Sequence, residues 1–194
     1  MDPDKTALVV VDVQNGFVTD NSRHVVPVIA DLVDRWMAAG RPVVFTRYLN
    51  HPDSMFHSLM QWRKLTNAPD TDIVDELQAA ASRAIVIDKK GYTLFNEQGR
   101  ALVEEKGWTD LVFCGIDTES CVLKSAVDAF EAGIRPWVLT DASASHSDQA
   151  GHEAGLLVGR RFVGPAQFIT VADLAVLTQL SKLDGRGGSE DAPM

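Results

Sequence analysis

Residues 111–133 read LVFCGIDTESCVLKSAVDAFEAG, and the way this stretch divides decides the fold. An apolar run at 110–114 enters Gly115 and reads as a strand. From 119 to 132 the apolar residues recur at helical spacing and stop at Gly133, a residue suited to the left-handed end of a helix. The short turn between them, IDTES, delivers Cys121 to the head of the helix. A chain with only two cysteines thus places one at the mouth of a strand-to-helix turn.

The same alternation continues in both directions. Residues 6–13, TALVVVDV, are rich in valine and read as a strand buried on both faces, as in a parallel sheet. A helix is expected at 25–39, ended by Gly40, and a second strand at 42–46. An irregular segment at 50–67, flanked by Pro52 and Pro69, leads to a short helix at 71–80. A third strand follows at 84–87, a helix at 98–106 ended by Gly107, and the fourth strand at 110–114. A fifth strand is expected at 135–140, a helix at 148–160, a short last strand at 166–170 and a terminal helix at 171–182. Strands alternating with helices in this way predict a doubly wound, Rossmann-like, three-layer α/β/α fold. Its sheet is expected to be mainly parallel, with about five or six strands. No repeat or long linker divides the chain, so residues 1–183 are expected to form a single domain. The polar, glycine-rich tail at 184–194 is expected to be disordered.

Composition narrows the function. The chain has 194 residues, 45% hydrophobic and 23% charged, with a formal net charge of −9. An acidic surface argues against nucleic acid, whose phosphates require a basic footprint. No apolar run approaches the roughly 20 residues of a membrane span. The opening MDPDKTALVVVDVQ has no basic region followed by a leader-length apolar stretch. Cys114 and Cys121 do not suggest a disulfide framework, so a reducing, cytoplasmic compartment is expected.

In open α/β sheets, ligands bind outside the carboxyl ends of the strands. Asp12 ends the first expected strand; Asp88, Lys89 and Lys90 end the third; Cys121 follows the fourth. An acid, an amine and a thiol therefore converge on one rim. A free thiol has a pKa of about 8.5, and a helix N-terminus is expected to lower it. A carboxylate can take the thiol proton as general base, and an ammonium can hold the resulting charge. The backbone N–H groups of the turn suit a developing oxyanion.

With those residues in place, the chain resembles the isochorismatase-like cysteine hydrolases, the superfamily of nicotinamidases and carbamoyl-amine hydrolases. ALVVVDVQNGF resembles the family's first strand and implies Asp12 as the catalytic acid. IDKKGYTLF resembles its third-strand motif, a Lys three residues before an aromatic and six before a Phe. That register implies Lys89, with Tyr92 and Phe95 as partners. CGIDTESCV resembles the nucleophile turn and implies Cys121 as nucleophile; LTDASAS, at 139–145, resembles the segment after the fifth strand. The resemblance also implies a cis peptide at Ile116–Asp117, which would aim the N–H groups of Asp117 and Cys121 at an oxyanion. Family members often carry a small residue where Asp117 stands, so this acid is a departure.

Other residues are expected to be structural. Cys114 lies in an apolar strand and reads as core. Lys90 and Asp88 read as a strand end, and Asp141 as a side chain that orients a loop. Nicotinamidases carry an Asp-x-His and a further His for a metal. Here RYLNHPDSMFHSLMQW holds His51 and His57 without that pattern, so neither a metal nor another cofactor is expected. His24, His146 and His152 sit in no motif. The segment 48–65 carries Phe56, Met60 and Trp62 and is expected either to wall a substrate pocket, with Phe17 and Tyr92 opposite, or to bury a subunit contact. Phe17, Trp62, Tyr92 and Phe95 are the expected substrate-binding residues, and the resemblance implies a homo-oligomer, dimer or tetramer.

The implied function is cysteine-dependent hydrolysis of a C–N bond in a small amide, ureido or carbamoyl compound, through a thioester. An isochorismatase acting on a vinyl ether is the alternative within the family; those members carry glycine in the register of Cys121. A non-catalytic binder, or a redox sensor using a low-pKa Cys121, is the alternative outside it.

Overall fold

Six parallel strands in the order β3-β2-β1-β4-β5-β6 form the sheet of the computed structural model, which describes residues 1–180. The strands are β1 (Thr6–Val11), β2 (Val43–Tyr48), β3 (Ile85–Lys89), β4 (Asp110–Ile116), β5 (Arg135–Ala144) and β6 (Phe168–Ile169). The helices are α1 (Val26–Ala38), α2 (Met55–Ser58), α3 (Asp75–Ala81), α4 (Glu97–Lys106), α5 (Leu123–Glu131), α6 (Gln149–Val163) and α7 (Val171–Thr178). The parallel, doubly wound, three-layer architecture expected from the alternation is the one observed. The expected domain end at 183 and the tail at 184–194 lie outside the described residues.

Strand β1 sits at the centre because all six of its residues are buried. Its side chains alternate between two cores, as a pleated strand requires. Leu8 and Val10 join a core built with Ile29, Leu32 and Trp36 of α1, Leu77 of α3 and Leu174 of α7. Ala7, Val9 and Val11 join a second core with Val103 of α4 and Ala126 and Ala129 of α5. Helix α6 lies against α5 and the turn before it. Among the described residues no helix is long and apolar enough to cross a membrane.

Two local departures from the expected elements shape the site. The helix expected at 119–132 begins instead as a π-turn, Thr118–Val122, and becomes α-helical only at Leu123. The Val122 N–H reaches back five residues to the Asp117 carbonyl at 3.0 Å, so the turn is wider than an α-helical one. Strand β5 continues four residues past its expected end, through Asp141–Ala144, after a register irregularity against β4 between Phe113 and Gly115. Gly115 has φ +117° and stands so close to β1 that a Cβ there would lie 2.1 Å from the Val11 carbonyl oxygen. Only glycine fits this approach, which brings the ends of β1 and β4 side by side.

The remaining boundaries follow their caps. Asn96 accepts from the Gly99 N–H at 2.9 Å and starts α4. Asp148 accepts from the Gly151 N–H at 2.7 Å and starts α6. Asp141 accepts the Val171 N–H at 2.9 Å, so it ties β5 to the start of α7, the orienting role expected of it.

Candidate active site

The chain order reverses between β1 and β4: from β1 it moves outward to β2 and β3, then returns to the other side of β1. At such a switch point the loops part and leave a crevice at the carboxyl ends of the strands. Asp12, Lys89 and Cys121 meet there from three different strand ends.

Asp12 follows β1 directly, in a left-handed conformation with φ 49°. Its N–H bonds the Thr46 carbonyl at 3.3 Å, and Thr46 Oγ1 donates to Asp12 Oδ1 at 2.6 Å. Lys89 ends β3 and is as buried as Asp12, their side chains 1% and 0% exposed. Its Nζ lies 2.6 Å from Asp12 Oδ2, an ion pair buried on both sides. The same Nζ donates to the carbonyls of Gly91 and Tyr92 at 2.9 and 3.0 Å. Cys121 Sγ stands 3.5 Å from it, and the Tyr48 ring centroid 5.5 Å. Its acceptors saturate the three protons of an ammonium.

Burial works against the charge on Lys89, but the attraction and hydrogen bonds of Asp12 and Cys121 outweigh it and hold the ammonium above its ordinary pKa. Cys121 moves the other way from the expectation of a lowered value. Burial, and then the neighbouring Asp12 carboxylate, push its thiol well up, and Lys89 offsets this only in part. The direction favours the thiol over the thiolate. Cys114, fully buried in β4, is pushed up by burial alone and packs in the core, as expected.

Above this floor lies a cavity of about 280 Å³. Its apolar wall is Phe17, Tyr48, Phe56, Met60, Trp62 and Tyr92. The Phe17 and Trp62 rings stack at 5.8 Å with planes 15° apart. The segment 48–65 thus supplies much of the wall through Phe56, Met60 and Trp62. Ser54 caps the single turn of α2 in that segment, its Oγ accepting the His57 N–H at 3.1 Å. Asn50 holds the segment's return, its Nδ2 donating to the carbonyls of Trp62 and Lys64 at 3.1 and 3.0 Å. Asp117, Ser120, Cys121 and His146 complete the lining.

Of the expected substrate-binding residues, Phe17, Trp62 and Tyr92 face the cavity and Phe95 does not. Phe95 is buried at the foot of α4 in the second core, with the Arg100 guanidinium 5.8 Å from its ring. The loop after Lys89 turns in at Tyr92, and Leu94 and Phe95 then drop into the packing between sheet and helix. The bond between Ile116 and Asp117 is cis. Asp117 does more than end the strand: its Oδ1 accepts the His146 N–H and its Oδ2 pairs with His146 Nδ1, each at 2.7 Å. Glu119 accepts from Ser145 Oγ at 2.6 Å, and Thr118 Oγ1 bonds His152 Nδ1 at 2.8 Å. His51 and His57 lie on the α2 side, His57 Nδ1 bonded to the Pro52 carbonyl at 2.9 Å. Among the described residues no three His, Cys, Asp or Glu side chains gather as a metal-binding group.

Sequence reasoning missed two residues that hold the site. Gln14 is fully buried; its Nε2 donates to the carbonyls of Tyr48 and Thr71 at 3.0 and 2.8 Å, and its Oε1 accepts the Tyr48 N–H at 2.7 Å. It pins the loop carrying Asp12 to β2. A glutamine two residues beyond the acid, at the end of an apolar strand, was the available signal. His146 had none, because its partner Asp117 lies 29 residues away.

Comparison with known proteins follows the same lines. The family model of the isochorismatase domain matches residues 6–174, which takes in every side chain of the floor. Nicotinamidase 3 of Arabidopsis thaliana is 28% identical over 158 residues, covering 78% of this chain and 78% of its own. Ureidoacrylate amidohydrolase RutB of Serratia proteamaculans is 29% identical over 198 residues, covering 84% and 79%. The crystal structure of N-carbamoylsarcosine amidase from Thermoplasma acidophilum superposes with a TM-score of 0.70 at 25% identity, covering 80% of this chain and 92% of that one. Fold, strand-end chemistry and family model agree: the chain belongs to the isochorismatase family of hydrolases.

Proposed function

We propose that this protein is a cysteine-dependent amidohydrolase that cleaves a C–N bond of a small amide, ureido or carbamoyl compound. The observation that carries the reading is the floor of the cavity, where one buried ammonium touches both a carboxylate at 2.6 Å and a thiol at 3.5 Å. The nicotinamidase, the ureidoacrylate amidohydrolase and the N-carbamoylsarcosine amidase among the similar proteins support it.

Asp12 Oδ2 takes the proton of the Cys121 thiol, and the thiolate attacks the substrate carbonyl. We assign the oxyanion to the N–H groups of Asp117 and Cys121 at the wide turn. The tetrahedral intermediate collapses, the C–N bond breaks, and the leaving nitrogen takes the proton from Asp12. Amine and an S-acyl or S-carbamoyl enzyme result. Water, deprotonated by Asp12, then attacks the thioester; the acid departs and the proton returns to sulfur. Lys89 keeps its charge throughout, because its acceptors favour the ammonium, and it holds Asp12 and Cys121 in register. The redox-sensor alternative needs a thiolate at rest, and burial beside Asp12 opposes one. The free cysteines support a reducing, cytoplasmic setting.

The aromatic wall and a volume of about 280 Å³ suit a small, flat or apolar substrate body. The test is ammonia release from a panel of primary amides, ureas and N-carbamoyl amines. Cys121→Ala should lower any release on the order of 10⁴-fold or more while the far-UV circular dichroism is unchanged. Release that persists in the variant would sink the mechanism.

A further inference from the structure

The imidazole of His146 is the lining group that the proposed chemistry leaves without a task. Its backbone is fixed on both sides. The N–H donates to Asp117 Oδ1 at 2.7 Å, and the carbonyl accepts from Thr19 Oγ1 at 2.8 Å. Its Nδ1 pairs with Asp117 Oδ2 at 2.7 Å. That leaves Nε2, which has no hydrogen-bond partner among the described residues, on a ring that lines the same cavity as Cys121. The other cation near the nucleophile, Lys89, is buried beneath the floor with its protons already engaged. Both Asp117 oxygens are occupied by His146, so they do not compete for what enters.

We propose that His146 is a specificity-determining residue: its Nε2 receives a carboxylate carried by the substrate, and Asp117 is the positioning residue that aims it. The proposal deepens the amidohydrolase reading and rests on it for the reacting end of the substrate. An imidazolium N–H facing an otherwise aromatic cavity finds its best partner in an anionic oxygen, because the charge-assisted bond is shorter and roughly twice as strong as a neutral one. The charged groups around the ring agree. Asp117, chiefly by its hydrogen bond, and Glu119 favour the imidazolium; burial and Lys64 oppose it; the net direction is upward from 6.5. Lys64 is a second positive charge near the ring.

The test uses two alkylating probes of one size, iodoacetate and iodoacetamide, and needs no turnover. In each case the Cys121 thiolate displaces iodide, the S–C bond forming as the C–I bond breaks, with the thiol proton passing to Asp12. Cys121→Ala identifies the labelled residue. The ratio of the two rates cancels the thiolate fraction. The expected ratio in the wild type, relative to a small free thiol, is about five- to tenfold in favour of iodoacetate near pH 6.5. It should fall as pH rises through the titration of His146. His146→Gln, which keeps a neutral donor, should abolish it, and Asp117→Asn should move its loss to lower pH. A wild-type ratio equal to that of the free thiol, or one independent of pH, overturns the proposal even if His146→Gln does not fold. A preference that survives in folded His146→Gln also overturns it and assigns the preference to a group other than the imidazolium. Absent ammonia release with the ratio intact would sink the amidohydrolase reading alone.

Discussion

The cavity has two acid–base pairs, one in its floor and one at its rim, and they are built to different ends. Asp12 and Lys89 are almost wholly buried, and the ammonium is ringed by acceptors that favour its charge. Asp117 and His146 are joined just as closely, yet the His146 side chain is 34% exposed and keeps one nitrogen unbonded. A buried, saturated pair holds a fixed electrostatic frame in which a thiol proton can move. A half-exposed pair with an open donor can still answer to what enters. The floor is therefore expected to govern whether the reaction occurs, and the rim to govern which compound undergoes it.

The largest expected effects break the floor. Lys89→Met leaves the Asp12 carboxylate buried and uncompensated, which costs about 3–5 kcal/mol of stability. The double variant Asp12→Asn with Lys89→Met removes both charges and should recover part of that loss in a denaturant titration, although both variants lose turnover. Asp117→Asn at the rim should cost far less, because its partner remains open to solvent. Equal losses from Lys89→Met and Asp117→Asn would erase the distinction between the two pairs.

A smaller effect probes the element that braces both. Gly155 on α6 packs against the nucleophile turn so tightly that a Cβ would lie 2.7 Å from the Glu119 backbone. Gly→Ala inside a helix ordinarily gains up to about 1 kcal/mol. Here the clash is with backbone and has no side chain to yield, so Gly155→Ala should instead cost about 1–3 kcal/mol. Because the turn carries Cys121 and Asp117 together, turnover and iodoacetate preference should fall together. A variant that loses turnover but keeps the preference would show that floor and rim rest on different supports.

The floor was legible in the sequence and the rim was not, for a physical reason. Asp12 ends one apolar strand, Asp88, Lys89 and Lys90 end another, and Cys121 follows a third across a short turn, so the rule that parallel strands present their carboxyl ends together brings them to one place, and the family resemblance picks Lys89 from its neighbours. Strand order and burial follow from the same alternation. His146 is recognised only through Asp117, and that contact depends on β5 running four residues further than its apolar pattern, so that Ser145 and His146 arrive beside the π-turn. Phe95 failed for a related reason. Counting six residues from Lys89 locates it along the chain, but the loop's inward turn after Tyr92 decides which side chain meets the cavity. The thiol's upward shift was hidden too, since burial, the larger effect, is a property of packing and the helix terminus alone pointed down.

The smallest effect separates the two pairs by pH. His146 is held above 6.5 chiefly by its hydrogen bond to Asp117. Its pairing thus contributes stability that is fully present below the unfolded value and is lost as pH rises through the higher folded one. The stability gap between wild type and Asp117→Asn should be widest near pH 6 and narrow toward pH 9, by less than about 1 kcal/mol given the exposure of the ring. Lys89 is raised from 10.5, so the contribution of the floor stays whole across that entire window and is lost only above it. Paired denaturation series at pH 6 and pH 9 for Asp117→Asn and Lys89→Met therefore give one sloping gap and one flat gap. A flat gap at the rim would mean that Asp117 does not favour the imidazolium of His146, and the carboxylate it is proposed to receive would lose the cation held for it near neutral pH.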